Sequence, residues 1–381
     1  MTRDGAGECV ALITGGGTAG HTNPGIAIAE ALVGRGVERS AVHFVGGRRG
    51  NEAELVGAAG FSIDLLPGRG IQRRLTPANL RAGGELLSGL ARATRIVARR
   101  RPAVVVCLGG YAAAGATAAA VARRIPVVVS EQNARASAVN RLFGRWAAVC
   151  ALPFPGTDLP HGRLTGNPVR RAVVHAVRTL DRPRARAELG LPGDRVVVAA
   201  WAGSLGATRL NRGVADLAQR WADRADVTLY HVVGRRDWER FGQDPPRWGP
   251  AGLDYRVVAY EDRMDRLLRA ADLALTRSGA STVAELAIAG LPSVLVPLPG
   301  APRDHQWHNT TELVDAGGAL RLADDEVDGL RLDEVLGPLV ADAPRREVMA
   351  TAARSVARPD AADRVADLIL ELAGAGPGRG R

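Results

Sequence analysis

The chain has 381 residues, 46% hydrophobic and 24% charged, with a formal net charge of +10; it is too long for one ordinary core, fits two domains, and has no apolar run long enough to cross a bilayer. Residues 1–5 lead into the first strand without the cationic and apolar regions of an export signal, so a cytoplasmic location is expected. All 50 basic residues are arginine, and this charge favours an acidic partner such as a phosphorylated substrate, an anionic membrane surface or a nucleic acid, but aromatics at 4% are not interleaved with the basic clusters, which tells against nucleic acid.

Residues 10–14 form the first predicted strand, followed by the turn Gly15-Gly16-Gly17-Thr18-Ala19-Gly20-His21 and a helix over about 24–35. Such a turn brings bare backbone N–H groups and the positive end of a helix dipole up to a ligand, an arrangement that holds a diphosphate. Gly15, Gly17 and Gly20 also fit the G-x-G-x-x-G spacing of a dinucleotide site, which needs a carboxylate at the end of the next strand. That strand, 41–45, runs instead into Gly46-Gly47-Arg48-Arg49, so NAD is disfavoured and only an NADP site tolerating Arg48 stays open. His21 stands where the dipole disfavours imidazolium; it can act as a base or hydrogen-bond donor, or cap the helix. Thr18 can donate to an anionic oxygen or serve as the cap.

Residues 69–101 stand apart. Leu75, Leu80, Leu86, Leu87, Leu90, Ile96 and Val97 are interspersed with Arg73, Arg74, Arg81, Arg92, Arg95 and Arg99 to Arg101. The pattern fits a helix lying in an anionic membrane interface, and equally an ordinary helix with its stripe on a sheet. Strands follow at 103–108 and 126–130, then a turn-rich join at 164–169 that marks a domain boundary. Cys9, Cys107 and Cys150 lie far apart in apolar runs and read as buried, reduced thiols.

The second half repeats the alternation, with strands at 195–200, 227–233, 254–258, 273–276 and 292–296, so both halves are α/β with a parallel sheet. The expected domains are 1–165 and 166–358, facing one another across a cleft, with a C-terminal helix within 359–373 and a disordered tail at 374–381. Two more glycine-rich turns follow strands here: Ala202-Gly203-Ser204-Leu205-Gly206-Ala207, whose N–H groups and Ser204 hydroxyl can cradle a phosphate, and Arg277-Ser278-Gly279-Ala280-Ser281-Thr282. Glu285, one and a half turns into the helix after the third turn, can accept both hydroxyls of a ribose or be a solvated glutamate. After Pro297-Leu298-Pro299, Gln306 and Asn309 carry the donor and acceptor pairs that read sugar hydroxyls, although an N-cap by Asp304 explains part of the same string. No Asp-x-Asp or other metal-ligand spacing is visible and no cofactor is expected, so a diphosphate leaving group must be met by helix dipoles and arginine.

Together, Gly15 to Pro24, Gly109-Gly110-Tyr111, Glu131-Gln132-Asn133 with Asn140-Arg141, Thr165 to Arg170, Gly203-Ser204 with Gly206-Ala207, Arg277 to Leu286, Ala289 to Pro299 and Asp304-His305-Gln306 resemble the MurG family, in order from about residue 10 to 325. The resemblance implies a GT-B fold of two Rossmann-like domains. It also implies transfer of GlcNAc from UDP-GlcNAc to the undecaprenyl-diphosphate muramoyl-pentapeptide, giving lipid II at the cytoplasmic face of the cell membrane, and leaves a divalent cation open although no motif for one is present. Thr18, Ala19, Gly20, Arg170, Ser204, Glu285 and Gln306 would then contact the donor, and Thr18, His21 and Asn133 the acceptor. His21 or Glu131 would remove the proton, and residues 69–101 would meet the membrane. Ala202, Leu205 and Ser130 depart from the family pattern, which commonly has glycine, glutamine and histidine there. A paralogue with another acceptor, or a non-catalytic UDP-sugar binder, is the alternative.

Overall fold

The computed structural model describes residues 9–16, 19–48, 52–67, 78–203 and 207–374, excepting the side chains of residues 19 and 78–87. Thr18, Ser204 and Leu205 lie outside the described residues, as does the predicted tail beyond Gly374. The chain divides into two units, 1–170 together with 359–381, and 171–358.

The first unit is built on β1 (Ala11–Gly15), β2 (Val42–Gly47), β3 (Ser62–Leu66), β4 (Val104–Gly109), β5 (Val127–Ser130), β6 (Val149–Leu152) and β7 (Gly162–Leu164). They lie in the order β3-β2-β1-β4-β5-β6-β7, every pair parallel. The second carries β8 (Val196–Trp201), β9 (Val227–Val232), β10 (Asp254–Val258), β11 (Leu273–Thr276), β12 (Ser293–Leu295) and β13 (Ala319–Arg321), again parallel, in the order β10-β9-β8-β11-β12-β13. Strand order reverses between β1 and β4 in one sheet and between β8 and β11 in the other. In doubly wound sheets, ligands bind just beyond the carboxyl ends of the strands at such points.

Central strands are buried on both faces, which is why they read as unbroken apolar runs such as Val104-Val105-Val106-Cys107. In the first unit Ile13, Val104 and Val106 pack with helix Ala19–Gly34, while Leu12, Val105 and Cys107 pack with Ala93 and Val97 of helix Ala78–Arg100. Ile96 and Val97 of the arginine-bordered segment are therefore core residues, and that end of the helix follows the ordinary reading; Leu90 remains 41% exposed. The C-terminal helix Ala361–Gly374 returns to the first unit, burying Val365, Ala366, Leu368 and Ile369 in the cluster that also contains Ile26, Ile28, Ala29 and Leu32. Arg35 adds ion pairs to Asp363 and Asp367, which at this exposure contribute little.

The three cysteines are free and buried. Burial raises Cys9 and Cys107 to about 11 and Cys150 to about 12, so all three remain protonated at neutral pH and none is a nucleophile.

Candidate functional site

The first glycine turn leaves β1 at the switch point of its sheet, and helix Ala19–Gly34 starts at Ala19 instead of near Pro24. Pro24 is accommodated inside this helix, where it can donate no hydrogen bond to the preceding turn. Half-buried His21 thus lies in the helix's first turn, directly beyond the carboxyl end of β1. The turn after β4 comes up against it: Gly110 has φ +79°, and a Cβ there would stand 2.2 Å from the Gly16 carbonyl oxygen. Only glycine meets both demands.

A carboxylate missed from the sequence sits beneath this turn. Glu52 begins helix Glu52–Ala58, is 3% exposed, and accepts a 2.6 Å hydrogen bond from the Gly47 N–H at the end of β2. A Cβ on Gly16 or Gly46 would lie 2.8 or 2.9 Å from its oxygens, so these glycines make room for it. The second strand end thus does have its acidic group, supplied from the following helix and buried, where it cannot present both oxygens to a ribose. The sequence signal was a glutamate five residues after a glycine pair, at a helix start where negative charge is favoured.

Glu131 follows β5 and is 1% exposed. Its Oε1 accepts from the Gln132 N–H (2.9 Å), the Asn133 N–H (2.9 Å) and Asn133 Nδ2 (3.3 Å); its Oε2 accepts from the Ser137 N–H (2.9 Å) and Asn140 Nδ2 (2.8 Å). Both oxygens are thereby committed to fastening the 131–140 loop. The same contacts place Asn133 beside Glu131. Ser130, one of the family departures, is fully buried at the end of β5.

In the second unit β8 ends at Trp201, Gly203 takes φ +86°, and Ala207 leads into helix Thr208–Arg220. Ala202 is half-buried. Behind this helix start runs a buried polar chain. His231 Nε2 is 3.0 Å from Asn211 Oδ1 and its Nδ1 3.0 Å from the Tyr255 hydroxyl, while Asn211 Nδ2 donates to the Val233 carbonyl and to Asp237 Oδ2, both at 2.9 Å. Burial lowers the His231 pKa from 6.5 to about 3. The unfolded chain takes up this proton below pH 6.5 and the native state does not, so the stability from neutral His231 is complete above pH 6.5 and falls as the pH drops toward 3. Urea unfolding should show this as a slope of about 0.7 kcal/mol per pH unit at pH 6.5 that approaches about 1.4 by pH 5, a component missing in His231→Gln.

The third turn joins β11 to helix Ala280–Ala289 and is stitched to the loop after β12. Buried Arg277 donates to the Val296 and Pro297 carbonyls (3.2 and 3.3 Å) and pairs with Asp324 at 2.6 Å. The Ser278 hydroxyl donates to the Gln306 carbonyl (2.8 Å), and Asn309 Nδ2 donates to the Ser278 carbonyl (3.2 Å). Gln306 Oε1 accepts from the Leu298 N–H (3.0 Å), leaving its amide nitrogen as the group that can donate outward. Asp304 does not cap the next helix through its side chain; with Arg303 it forms a left-handed pair, φ +49° and +57°. The helix Ala280–Ala289 likewise has no side-chain N-cap, its N-cap being Gly279, so no capping side chain competes with an anion there. Half-buried Glu285 lies in its second turn. Gln306 is thus brought to the third turn, whereas Arg170 is the last residue of the first unit, ahead of helix Arg171–Thr179. No cluster of three or more potential metal-ligating side chains occurs among the described residues.

The N-terminal domain of glycosyltransferase family 28 matches residues 11–151 and its C-terminal domain residues 197–365. The chain is 38% identical over 364 residues to the UDP-N-acetylglucosamine–N-acetylmuramyl-(pentapeptide) pyrophosphoryl-undecaprenol N-acetylglucosamine transferase of Acidothermus cellulolyticus, covering 96% of this chain and 98% of that protein. It is 39% identical over 373 residues to the enzyme of the same name from Clavibacter michiganensis, covering 97% and 98%. The crystal structure of Acinetobacter baumannii MurG superimposes with a TM-score of 0.73 at 28% identity, over 95% of this chain and 99% of that one. With two doubly wound parallel sheets as in other GT-B proteins, the chain belongs to glycosyltransferase family 28 and, within it, to the MurG family.

Proposed function

We propose that the protein transfers GlcNAc from UDP-GlcNAc to the muramoyl 4-hydroxyl of undecaprenyl-diphosphate-linked muramoyl-pentapeptide, converting lipid I to lipid II in peptidoglycan synthesis. The observation that carries this reading is the identity of 38 to 39% over nearly the whole of two enzymes bearing that activity in their names. Identity at that coverage leaves little to favour a paralogue, despite Ala202, Leu205 and Ser130.

The reaction is an inverting displacement. The 4-hydroxyl attacks the anomeric carbon, the bond to the UDP oxygen breaks, and UDP departs with the electron pair. His21 takes the hydroxyl proton, because Glu131 already accepts five hydrogen bonds and serves to hold Asn133. Thr18, His21 and Asn133 face the acceptor; Thr18, Ala19, Gly20, Arg170, Ser204 and the helix N-termini of the second unit contact the donor. Glu285 accepts the ribose hydroxyls, and the Gln306 amide nitrogen donates to a GlcNAc hydroxyl.

The protein binds the membrane surface peripherally. No helix among the described residues is long and apolar enough to cross a membrane. The 69–101 segment supplies the contact through its N-terminal part up to exposed Leu90, and Leu142 and Trp146, 46% and 52% exposed beside exposed Arg141 and Arg145, have the same apolar and cationic character.

Glu285→Gln removes a charged hydrogen-bond acceptor from the donor and should lower kcat/KM for UDP-GlcNAc by about 10- to 100-fold, mostly through KM. Unchanged donor kinetics would refute the placement of the ribose.

A further inference from the structure

We infer that Asn211, His231 and Asp237 are positioning residues that fix the axial setting of helix Thr208–Arg220, and through it the affinity for UDP-GlcNAc. This rests on the proposed reading that the second unit binds the donor.

The three side chains are 1%, 1% and 6% exposed, and their hydrogen bonds have a forced direction. Asn211 Nδ2 is committed to the Val233 carbonyl and Asp237, so its Oδ1 is an acceptor facing His231. The imidazole must then carry its proton on Nε2, and its Nδ1 accepts from the Tyr255 hydroxyl. Donation runs one way, from Tyr255 to His231 to Asn211 to the Asp237 carboxylate, which also accepts from Thr208 Oγ1 at 3.3 and 3.4 Å. The links from Thr208 and Asn211 hold the first turn of this helix to β9 and the 233–237 loop, and the Tyr255 link braces His231 from β10.

The apolar contacts of the same helix do a different job. Leu210, Val214 and Leu217 press it onto the sheet with Leu229 and Val198. Apolar burial is non-directional and tolerates sliding along the helix axis. Hydrogen bonds have narrow distance and angle preferences and do not. The relay thus sets where the first-turn N–H groups stand, at the carboxyl edge of β8 and β9 next to the switch point. An error of about 1 Å in such placement can cost on the order of 100-fold in rate.

The test compares variants by steady-state kinetics and thermal unfolding. Asn211→Asp sets a second carboxylate against Asp237 and should raise KM for UDP-GlcNAc by about tenfold or more with a smaller change in kcat. Asp237→Asn alone, which keeps the shape, should raise it about threefold or more. The double variant Asn211→Asp with Asp237→Asn restores a donor and acceptor pair between positions 211 and 237 but leaves the Val233 carbonyl against a carboxylate, so it should recover part of the KM loss of Asn211→Asp without returning to the parent value. Leu217→Ala, a cavity on the same helix, should lower the melting temperature and leave KM in place. The inference is overturned if both single variants leave KM unchanged, if the double variant shows no rescue, or if Leu217→Ala raises KM as much as Asn211→Asp. Glu285→Gln separates the two levels. If it leaves KM unmoved, the donor reading has failed; if it raises KM while the relay variants do not, only the relay has failed.

Discussion

Replacing His21 by alanine is expected to lower kcat by about 10²- to 10⁴-fold, the range for removing a general base, while KM for UDP-GlcNAc moves by no more than about threefold. The imidazole stands in the first turn of helix Ala19–Gly34, where the dipole favours the neutral, proton-accepting form. In the proposed reading it faces the acceptor hydroxyl, while the ribose and sugar contacts to the donor come from Glu285 and Gln306, so its loss should spare donor affinity. Steady-state kinetics with saturating lipid I analogue checks this. An alanine variant retaining more than about a tenth of the parent kcat would remove His21 as the base.

Glu131→Gln is expected to act mainly on the fold. The substitution places an NH₂ group where a carboxylate oxygen now accepts, leaving at least one of five buried donors without its partner. We expect a loss of about 1–3 kcal/mol in unfolding free energy, with activity falling as the 131–140 loop loses its fastening. Urea unfolding measured alongside kcat tells this from catalysis. A Glu131→Gln protein of unchanged stability and thousandfold lower kcat, well inside the range for a lost general base, would instead make Glu131 that base.

The central strands were legible because parallel sheets bury both faces, and β1, β4, β5, β8, β11 and β12 show as largely apolar runs; β2 and β9 keep the pattern around one histidine each, and the edge strand β10, with Asp254 and Arg256, was read from its place in the alternation. The strands outside the prediction lack that mark. β3 contains Asp64, made tolerable by His43 at 2.9 Å; β7 is a three-residue exposed edge, and β13 is equally short. β6, Val-Cys-Ala-Leu, is apolar throughout, and a run of four does not tell strand from buried helix. The docking of helix Ala361–Gly374 on the first unit was not legible, since its amphipathic stripe names no partner.

In the site, the glycine turns were readable from local spacing. The supporting groups were not. Glu52 reaches Gly47 across a turn, and the partners of Asn211 come from β9 and the loop after it, contacts that depend on strand order. The role of Glu131 also changed on this ground: its sequence neighbours show an acid beside two amides, and only the fold shows that both oxygens are already taken.

The most direct test is UDP release by the purified protein from UDP-GlcNAc with and without a lipid I analogue. The account predicts release that depends on the acceptor and yields the disaccharide product. Tight UDP-GlcNAc binding with no release in the presence of the acceptor would contradict it.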